Sequence, residues 1–432
     1  MKNNSICIAP WNHIFINTEG YFYHCCMAES YSSPIAHNGQ TLHVSSINSF
    51  EDVLNSSDSF KLKQQMLNGE MPSSCQKCHL EEKVRKDTNH QTPLENVLSA
   101  SKSYRKYLNK KYHKKLDQII SSKNTSVKLE DINFLDMRPG NTCNLKCRMC
   151  YPVSSKLWID EWIKLFPDSL HDERIKDLKN ITWGESPVFW NHVHSILSSI
   201  DTIHFAGGEP LFMKDVLYFL KNEQYAPFAK EINLTFNTNL TNITDEIINS
   251  WKKFKSVRLM ISLDGTDKIN DYIRYPSKFG QIIANIEKLK KVQHEINFQH
   301  CGIISTVQIY NIHNIVELIK FILNLNNPII AKRIKFNLLS EPSCLSIQSL
   351  PAHLKDKYSQ ELYECATWLQ ENGNFELAEE TKSIIKFMCL EDLSSNLRET
   401  KRRTEIIDRE RHQKLEETFP LLWEYLETIE IN

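Results

Sequence analysis

Six short apolar runs recur along the middle of the chain, each of strand length and each followed by polar or glycine-containing residues. They are Ile132–Met137, Thr202–Ala206, Ile232–Asn237, Val257–Leu263, Gly302–Ile309 and Ile334–Leu339. Between them apolar residues repeat at helical spacing, as in Ile282–Val292 and Ile315–Leu325. Strands alternating with helices predict an α/β fold with a parallel sheet, either doubly wound or part of a barrel. The punctuation favours a partial (β/α)6 barrel. The first strand runs into a cysteine loop, the second into Gly207-Gly208-Glu209-Pro210 and the third into Asn237-Thr238-Asn239. The fourth runs into Ser262-Leu263-Asp264-Gly265 and the fifth toward Asn311. Polar groups at the carboxyl ends of successive parallel strands converge on one mouth.

The flanks read differently. Residues 1–85 form a small cysteine-containing α+β module, 86–130 a polar helical linker, and 131–340 the barrel. Beyond 341, Ala352–Gln370, Phe375–Leu390 and Asn396–Glu417 read as helices. The last alternates Lys/Arg with Asp/Glu, the pattern of a solvated helix face.

Composition narrows the class. A chain of 432 residues with 41% hydrophobic and 24% charged residues is globular and long enough for several domains. Lys plus Arg is 52 against 53 for Asp plus Glu, so a globally basic nucleic-acid coat is excluded. No apolar stretch reaches the 18 residues of a membrane span. The opening residues Met1–Cys7 lack an apolar export region, and a cytoplasmic, reducing location is the expectation. There, clustered cysteines mean metal or catalysis more often than disulfides.

Eight of the twelve cysteines fall in two groups: Cys7, Cys25, Cys26, Cys75 and Cys78, then Cys143, Cys147 and Cys150. The other four, Cys301, Cys344, Cys365 and Cys389, read as small buried apolar residues. The second group has the spacing C-x3-C-x2-C. Three thiolates do not close a structural zinc site, but they do hold a [4Fe–4S] cluster with one iron left open.

Taken together, the three-cysteine loop, Gly207-Gly208-Glu209-Pro210 after the second strand and Ser262-Leu263-Asp264-Gly265 after the fourth resemble the radical S-adenosylmethionine (SAM) superfamily. The resemblance covers residues from about 131 to 340. It implies that Cys143, Cys147 and Cys150 carry the catalytic [4Fe–4S] cluster, with SAM chelating the open iron. It also implies that Gly207, Gly208 and Glu209 face the SAM amino group, that Ser262 and Asp264 lie near the ribose, and that Arg274 pairs with the SAM carboxylate. Asn239 and Asn311 are further candidates around the nucleoside, although Asn is also a common turn former. Met149 stands where many members have an aromatic residue. Glycines at 207 and 208 suit close backbone approach, while a simple strand-to-helix turn with Pro210 at the first helical position is the plainer reading of that segment alone.

The first group, with Cys7, Gly20 and Cys25 in C-x12-G-x4-C spacing and Cys75-x2-Cys78 beyond, resembles the twitch and SPASM auxiliary-cluster modules of the same superfamily. There the module usually follows the barrel; here it precedes it. The resemblance implies an auxiliary [4Fe–4S] cluster on Cys7, Cys25, Cys75 and Cys78, with Cys26 as the substitute for Cys25. Gly20 suits a tight hairpin turn. Spacing alone would equally fit structural zinc. Cys75-Gln76-Lys77-Cys78-His79 also matches a haem-attachment pattern, which the expected compartment argues against.

Between Lys102 and Lys115 lie seven basic residues (Lys102, Arg105, Lys106, Lys110, Lys111, Lys114 and Lys115) interleaved with Tyr104, Tyr107 and Tyr112. The wet face of a helix is the simpler reading; an RNA backbone or an acidic peptide are the others.

The resemblance thus implies an enzyme that cleaves SAM to a 5′-deoxyadenosyl radical and abstracts hydrogen from a substrate. A reductant such as flavodoxin or ferredoxin supplies the electron, and no membrane is involved. Oxidation or crosslinking of a peptide or protein is the leading expectation. RNA or sugar modification, and a non-catalytic iron–sulfur or zinc sensor, are the alternatives.

Overall fold

The computed structural model describes residues 6–29, 32–76, 78 and 104–430, with 104–107 and 331–333 described by backbone alone. Its centre is an eight-stranded sheet in the order β10-β9-β8-β7-β6-β5-β1-β2. Six of these strands alternate with helices: β5 (Phe134–Met137), β6 (Thr202–Phe205), β7 (Asn233–Thr238), β8 (Ser256–Ser262), β9 (Cys301–Val307) and β10 (Ile330–Leu338). They are parallel and neighbour one another in chain order. Right-handed crossovers in that order put every connecting helix on the same face of the sheet. The sheet therefore curves as part of a barrel, and β10 and β2 are its two edges.

The strands explain which face is which. In β5 to β8 apolar residues flank a polar one, and the apolar set packs outward on the helices. Phe205 stacks on Phe236 at 5.4 Å between ring centroids, Phe236 meets Trp251 of the helix Asp245–Trp251 at 5.7 Å, and Phe205 meets Phe219 of Lys214–Lys221 at 5.7 Å. Contacts of this kind contribute about 0.5–1.5 kcal/mol each beyond the area they bury. The opposite face, free of connecting helices, is the barrel interior.

The amino-terminal segment joins this sheet. β1 (His13–Ile16) lies parallel to β5, pairing His13 with Phe134 through Ile16 with Met137. β2 (Phe22–Tyr23) returns antiparallel to β1, and the hairpin turns at Gly20, whose φ is +90°. A Cβ there would sit 2.4 Å from His43 Nε2, so both conformation and space call for glycine. A two-stranded hairpin, β3 (Ala36–His37) with β4 (Gln40–Thr41), and the helix Ser57–Leu67 complete the described part of this region.

Three expectations need correction. The helix Leu397–Arg411 is not a solvated face: Thr400, Arg403, Thr404 and Arg411 are buried. Asp408 and Arg411 pair with Arg148 and Glu161, while Arg398, Glu405 and Arg409 of the same helix remain exposed. Cys301, Cys344 and Cys365 are buried, but Cys389 is exposed at the end of the helix Phe375–Met388. In the basic stretch, Lys111 reaches Asp201 at 3.2 Å and Thr202 at 2.6 Å, and Lys115 reaches Asp131 at 3.0 Å. Those two lysines dock the helices 104–111 and 113–122 under the sheet. Lys102 and the expected boundary at residues 85–86 lie outside the described residues.

Candidate functional site

The loop after β5 carries Cys143, Cys147 and Cys150 across the carboxyl ends of the strands. Its backbone is fixed on several sides. Lys146 N–H donates to the Tyr275 carbonyl at 2.6 Å and Arg148 N–H to the Ile273 carbonyl at 2.8 Å. Trp158 Nε1 donates to the Cys147 carbonyl at 2.8 Å, and Ser155 Oγ to the Leu145 carbonyl at 2.8 Å. Asn144 donates to Thr241 at 2.8 Å and accepts from Asn239 at 3.0 Å, which ties the loop to the end of β7.

The thiols themselves form one cluster. Cys150 hydrogen-bonds Cys147, holding the Cys147 thiol low and pushing Cys150 well up, while burial pushes Cys143 up to about 12. Buried thiolates need a positive partner, and a cluster of iron ions is such a partner. The Arg274 guanidinium lies at the same spot, with Nη1 3.9 Å from Cys147 Sγ and Nε 2.8 Å from Asp264. The three soft donors beside a guanidinium fit an iron–sulfur cluster with an anionic ligand.

Gly207 and Gly208 have a definite steric task. A Cβ on Gly208 would lie 2.2 Å from the Thr142 carbonyl oxygen, and one on Gly207, where φ is +101°, would lie 2.9 Å from that of Gly140. Glu209 N–H donates to the Thr142 carbonyl at 3.0 Å. The glycines thus let the β6 loop press directly on the backbone leading to Cys143. Glu209 is buried; its carboxylate accepts from Thr238 Oγ1 at 2.7 Å, Asn239 N–H at 2.6 Å and Leu211 N–H at 3.1 Å. Burial still raises it to about 7.

The other expected residues divide. Asp264 is buried, accepts from Thr306 N–H at 2.7 Å and pairs with Arg274. Ser262 is half-buried at the end of β8. Asn311 gives both amide hydrogens to backbone, to Asp264 O at 2.8 Å and Thr306 O at 2.9 Å, and so organises the loop after β9. Asn239 links Glu209 to Asn144, as described above.

In the amino-terminal region, Cys25 is pushed well up by burial and by the neighbouring Cys7, Cys78 and Cys75, so these four thiols share one environment. Cys26 turns elsewhere: its thiol hydrogen-bonds Asp136 on β5. The two adjacent cysteines therefore face different neighbours. Four soft thiols in one buried place suit an iron–sulfur cluster, and equally a thiophilic ion, by donor chemistry. Among the described residues no group of three or more His, Cys, Asp and Glu closes around a single metal ion.

Between the two cysteine groups the interior carries a polar row that sequence reading missed. Asp136 on β5 pairs in register with His204 on β6, His204 with Thr235 on β7, and Thr235 with Arg258 on β8. His204 Nδ1 and Thr235 Oγ1 are 2.6 Å apart, and His13 of β1 approaches Asp136 at 3.8 Å. The signal is present in the chain: Leu-Asp-Met, Ile-His-Phe, Leu-Thr-Phe and Val-Arg-Leu repeat one polar residue between two apolar ones in successive strands.

Comparison with known proteins adds two partial matches to family models. Residues 137–322 match the model of the radical SAM superfamily, and residues 7–79 match that of the SPASM iron–sulfur cluster-binding domain. A GTP 3′,8-cyclase of Moorella thermoacetica is 30% identical over 153 residues, 35% of this chain and 40% of that protein. Another, of Clostridium botulinum, is 26% identical over 161 residues, 36% of this chain and 43% of that one. The chain spans about two-fifths of the length of these relatives. Among solved structures, anSMEcpe with bound AdoMet aligns at a TM-score of 0.37 and 17% identity, over 56% of this chain and 62% of that one. SuiB of Streptococcus suis aligns at 0.34 and 14%, over 73% and 62%.

Proposed function

We propose, for a chain that carries a radical SAM domain and, ahead of it, a SPASM iron–sulfur domain, that it abstracts hydrogen from a peptide or protein substrate seated in the barrel interior, oxidising or crosslinking it. The observation that carries this reading is the pairing of β1, which follows Cys7, with β5, which leads into Cys143. One hydrogen-bonded sheet joins the strand that follows Cys7 to the strand that leads into Cys143. When bound, a [4Fe–4S] cluster with SAM on Cys143, Cys147 and Cys150 supplies the 5′-deoxyadenosyl radical, and an auxiliary cluster on Cys7, Cys25, Cys75 and Cys78 supplies a second redox centre.

The chain's own residues bind, orient and shield. Arg274 presents a guanidinium beside Cys147 that suits the SAM carboxylate, and Asp264 holds it in place. The Gly207-Gly208 segment and Glu209 brace the cysteine loop against the end of β7. Flavodoxin or ferredoxin is the class of donor such an enzyme uses, and a reducing cytoplasm suits it.

The test uses the anaerobically reconstituted protein beside the Cys143→Ala/Cys147→Ala/Cys150→Ala variant. Iron is expected to fall from about eight to about four per chain, and 5′-deoxyadenosine formation to vanish. Extract from cells grown in heavy water is then separated into peptide, RNA and sugar fractions. Deuterium entering 5′-deoxyadenosine with the peptide fraction supports the reading; transfer only with RNA or sugar overturns it.

A further inference from the structure

The interior row has unspent hydrogen-bonding capacity. Asp136 is 2% exposed and its carboxyl group already accepts from the Cys26 thiol, yet its Oδ1 has no hydrogen-bond partner among the described residues; the same holds for Nε of Arg258. The layer below, toward the amino ends of the strands, is by contrast satisfied. There Ser256 Oγ donates to Asn233 at 2.7 Å, Asn233 donates to the Asp201 carbonyl at 2.7 Å, and Lys111 donates to Thr202 at 2.6 Å. The layer above opens outward, with Asn237 exposed and Met260 half-buried. A buried acceptor and a buried donor left open are costly unless something fills them.

Their chemistry decides what would fill them. Asp136 offers carboxyl oxygens and Arg258 guanidinium N–H groups. Arg138, at the end of β5, is already paired with Glu29 at 2.5 Å. His13 is held down at about 4 by burial, and burial with the nearby arginines lowers His204, so both imidazoles are neutral. The row is thus balanced. A charged group entering it would upset the balance in a place of low dielectric, whereas a group with one donor and one acceptor would complete both ends.

We infer that Asp136 and Arg258, with His204 and Thr235 between them, form a specificity site for an uncharged amide of the substrate, its N–H directed to Asp136 and its carbonyl to Arg258. In a peptide this is an Asn or Gln side chain or the peptide unit itself. The inference rests on the peptide reading given above and names the group that the interior recognises.

The experiment measures binding, not turnover, on the reconstituted protein with SAM. The probes are N-acetylated, C-amidated Ala-Asn-Ala, Ala-Asp-Ala and Ala-Lys-Ala, together with N-acetylglucosamine as an amide that is not a peptide, followed by saturation-transfer NMR. The wild type is expected to prefer the Asn peptide by about tenfold, the effect of one unpaired buried group. Asp136→Asn leaves the arginine unbalanced and moves the preference to the Asp peptide; Arg258→Gln moves it to the Lys peptide. Retained SAM binding shows that each variant is folded. Peptides that bind without any such switch overturn the inference and leave the peptide reading standing. A switch seen only as loss of N-acetylglucosamine binding upholds the amide site and overturns the peptide reading. No probe binding at millimolar concentration overturns the site.

Discussion

The guanidinium of Arg148, between two cysteines of the barrel loop, forms an ion pair with Asp408, 260 residues further along the chain. Arg148 is fully buried, lies 3.5 Å over the ring of Tyr272, and also donates to Gln413 at 3.1 Å. Its neighbour in the loop, Lys146, pairs with Glu161, which in turn holds Arg411 at 2.7 Å. The helix Leu397–Arg411 therefore grips the cysteine loop through two charges of that loop. Removing one partner of a buried pair strands the other, so Arg148→Met or Asp408→Leu alone is expected to destabilise the protein by about 3–5 kcal/mol. Replacing both, as Arg148→Met with Asp408→Leu, should restore much of that loss. Urea denaturation of the four proteins in a double-mutant cycle is the measurement; additive single effects would show that the pair is not coupled.

Gly208 offers a sharper lesion. The added methyl of Gly208→Ala meets the Thr142 backbone oxygen at 2.2 Å, and a backbone cannot swing aside as a side chain can. The segment leading to Cys143 must shift. Iron on the barrel cysteines should be lost while iron on the amino-terminal set remains, about half of the total. Gly280→Ala is the control, since nothing lies within 4 Å of the place its methyl would take. Equal iron in the two variants would refute the steric account.

The barrel is legible because parallel strands with one buried face announce themselves locally. The apolar pattern predicts Ile232–Asn237, and the strand runs Asn233–Thr238; it predicts Val257–Leu263, and the strand runs Ser256–Ser262. β1 is not legible. All four residues of His13–Ile16 are buried, so no alternation marks the strand, and only its pairing with β5 gives it a place. The helix 397–411 misleads for a physical reason: alternating charge looks identical whether its partners are water or Arg148 and Glu161. Among the site residues, glycine spacing draws attention to 207 and 208, but their contact with Thr142 is a tertiary fact that no local pattern contains.

Cys25 and Cys26 cannot be told apart by spacing, because either satisfies a four-cysteine set to within one residue. Their surroundings separate them. Cys25 shares its burial with Cys7, Cys75 and Cys78, whereas Cys26 bonds Asp136. Cys25→Ser is therefore expected to remove up to about four irons from the reconstituted protein, and Cys26→Ser to remove none. Iron and sulfide analysis with EPR on both variants decides it. The reverse pattern would mean that Cys26 swings to the other three thiols.

His313 gives the fold a dependence on pH. It stacks on Phe419 with centroids 4.0 Å apart, and burial lowers it from 6.5 to about 4. The unfolded chain then takes up a proton at higher pH than the folded one. The stabilisation is complete above about 6.5 and is lost as pH falls through about 4. The loss attributable to this group is on the order of 3 kcal/mol. His313→Phe keeps the stacked ring and removes the proton site, so its stability should fall less than that of the wild type between pH 6.5 and 4. Denaturation at a series of pH values on both proteins gives the difference directly. Parallel curves would mean that His313 titrates alike in the folded and unfolded chains, and that its packing on Phe419 does not exclude the charged imidazole.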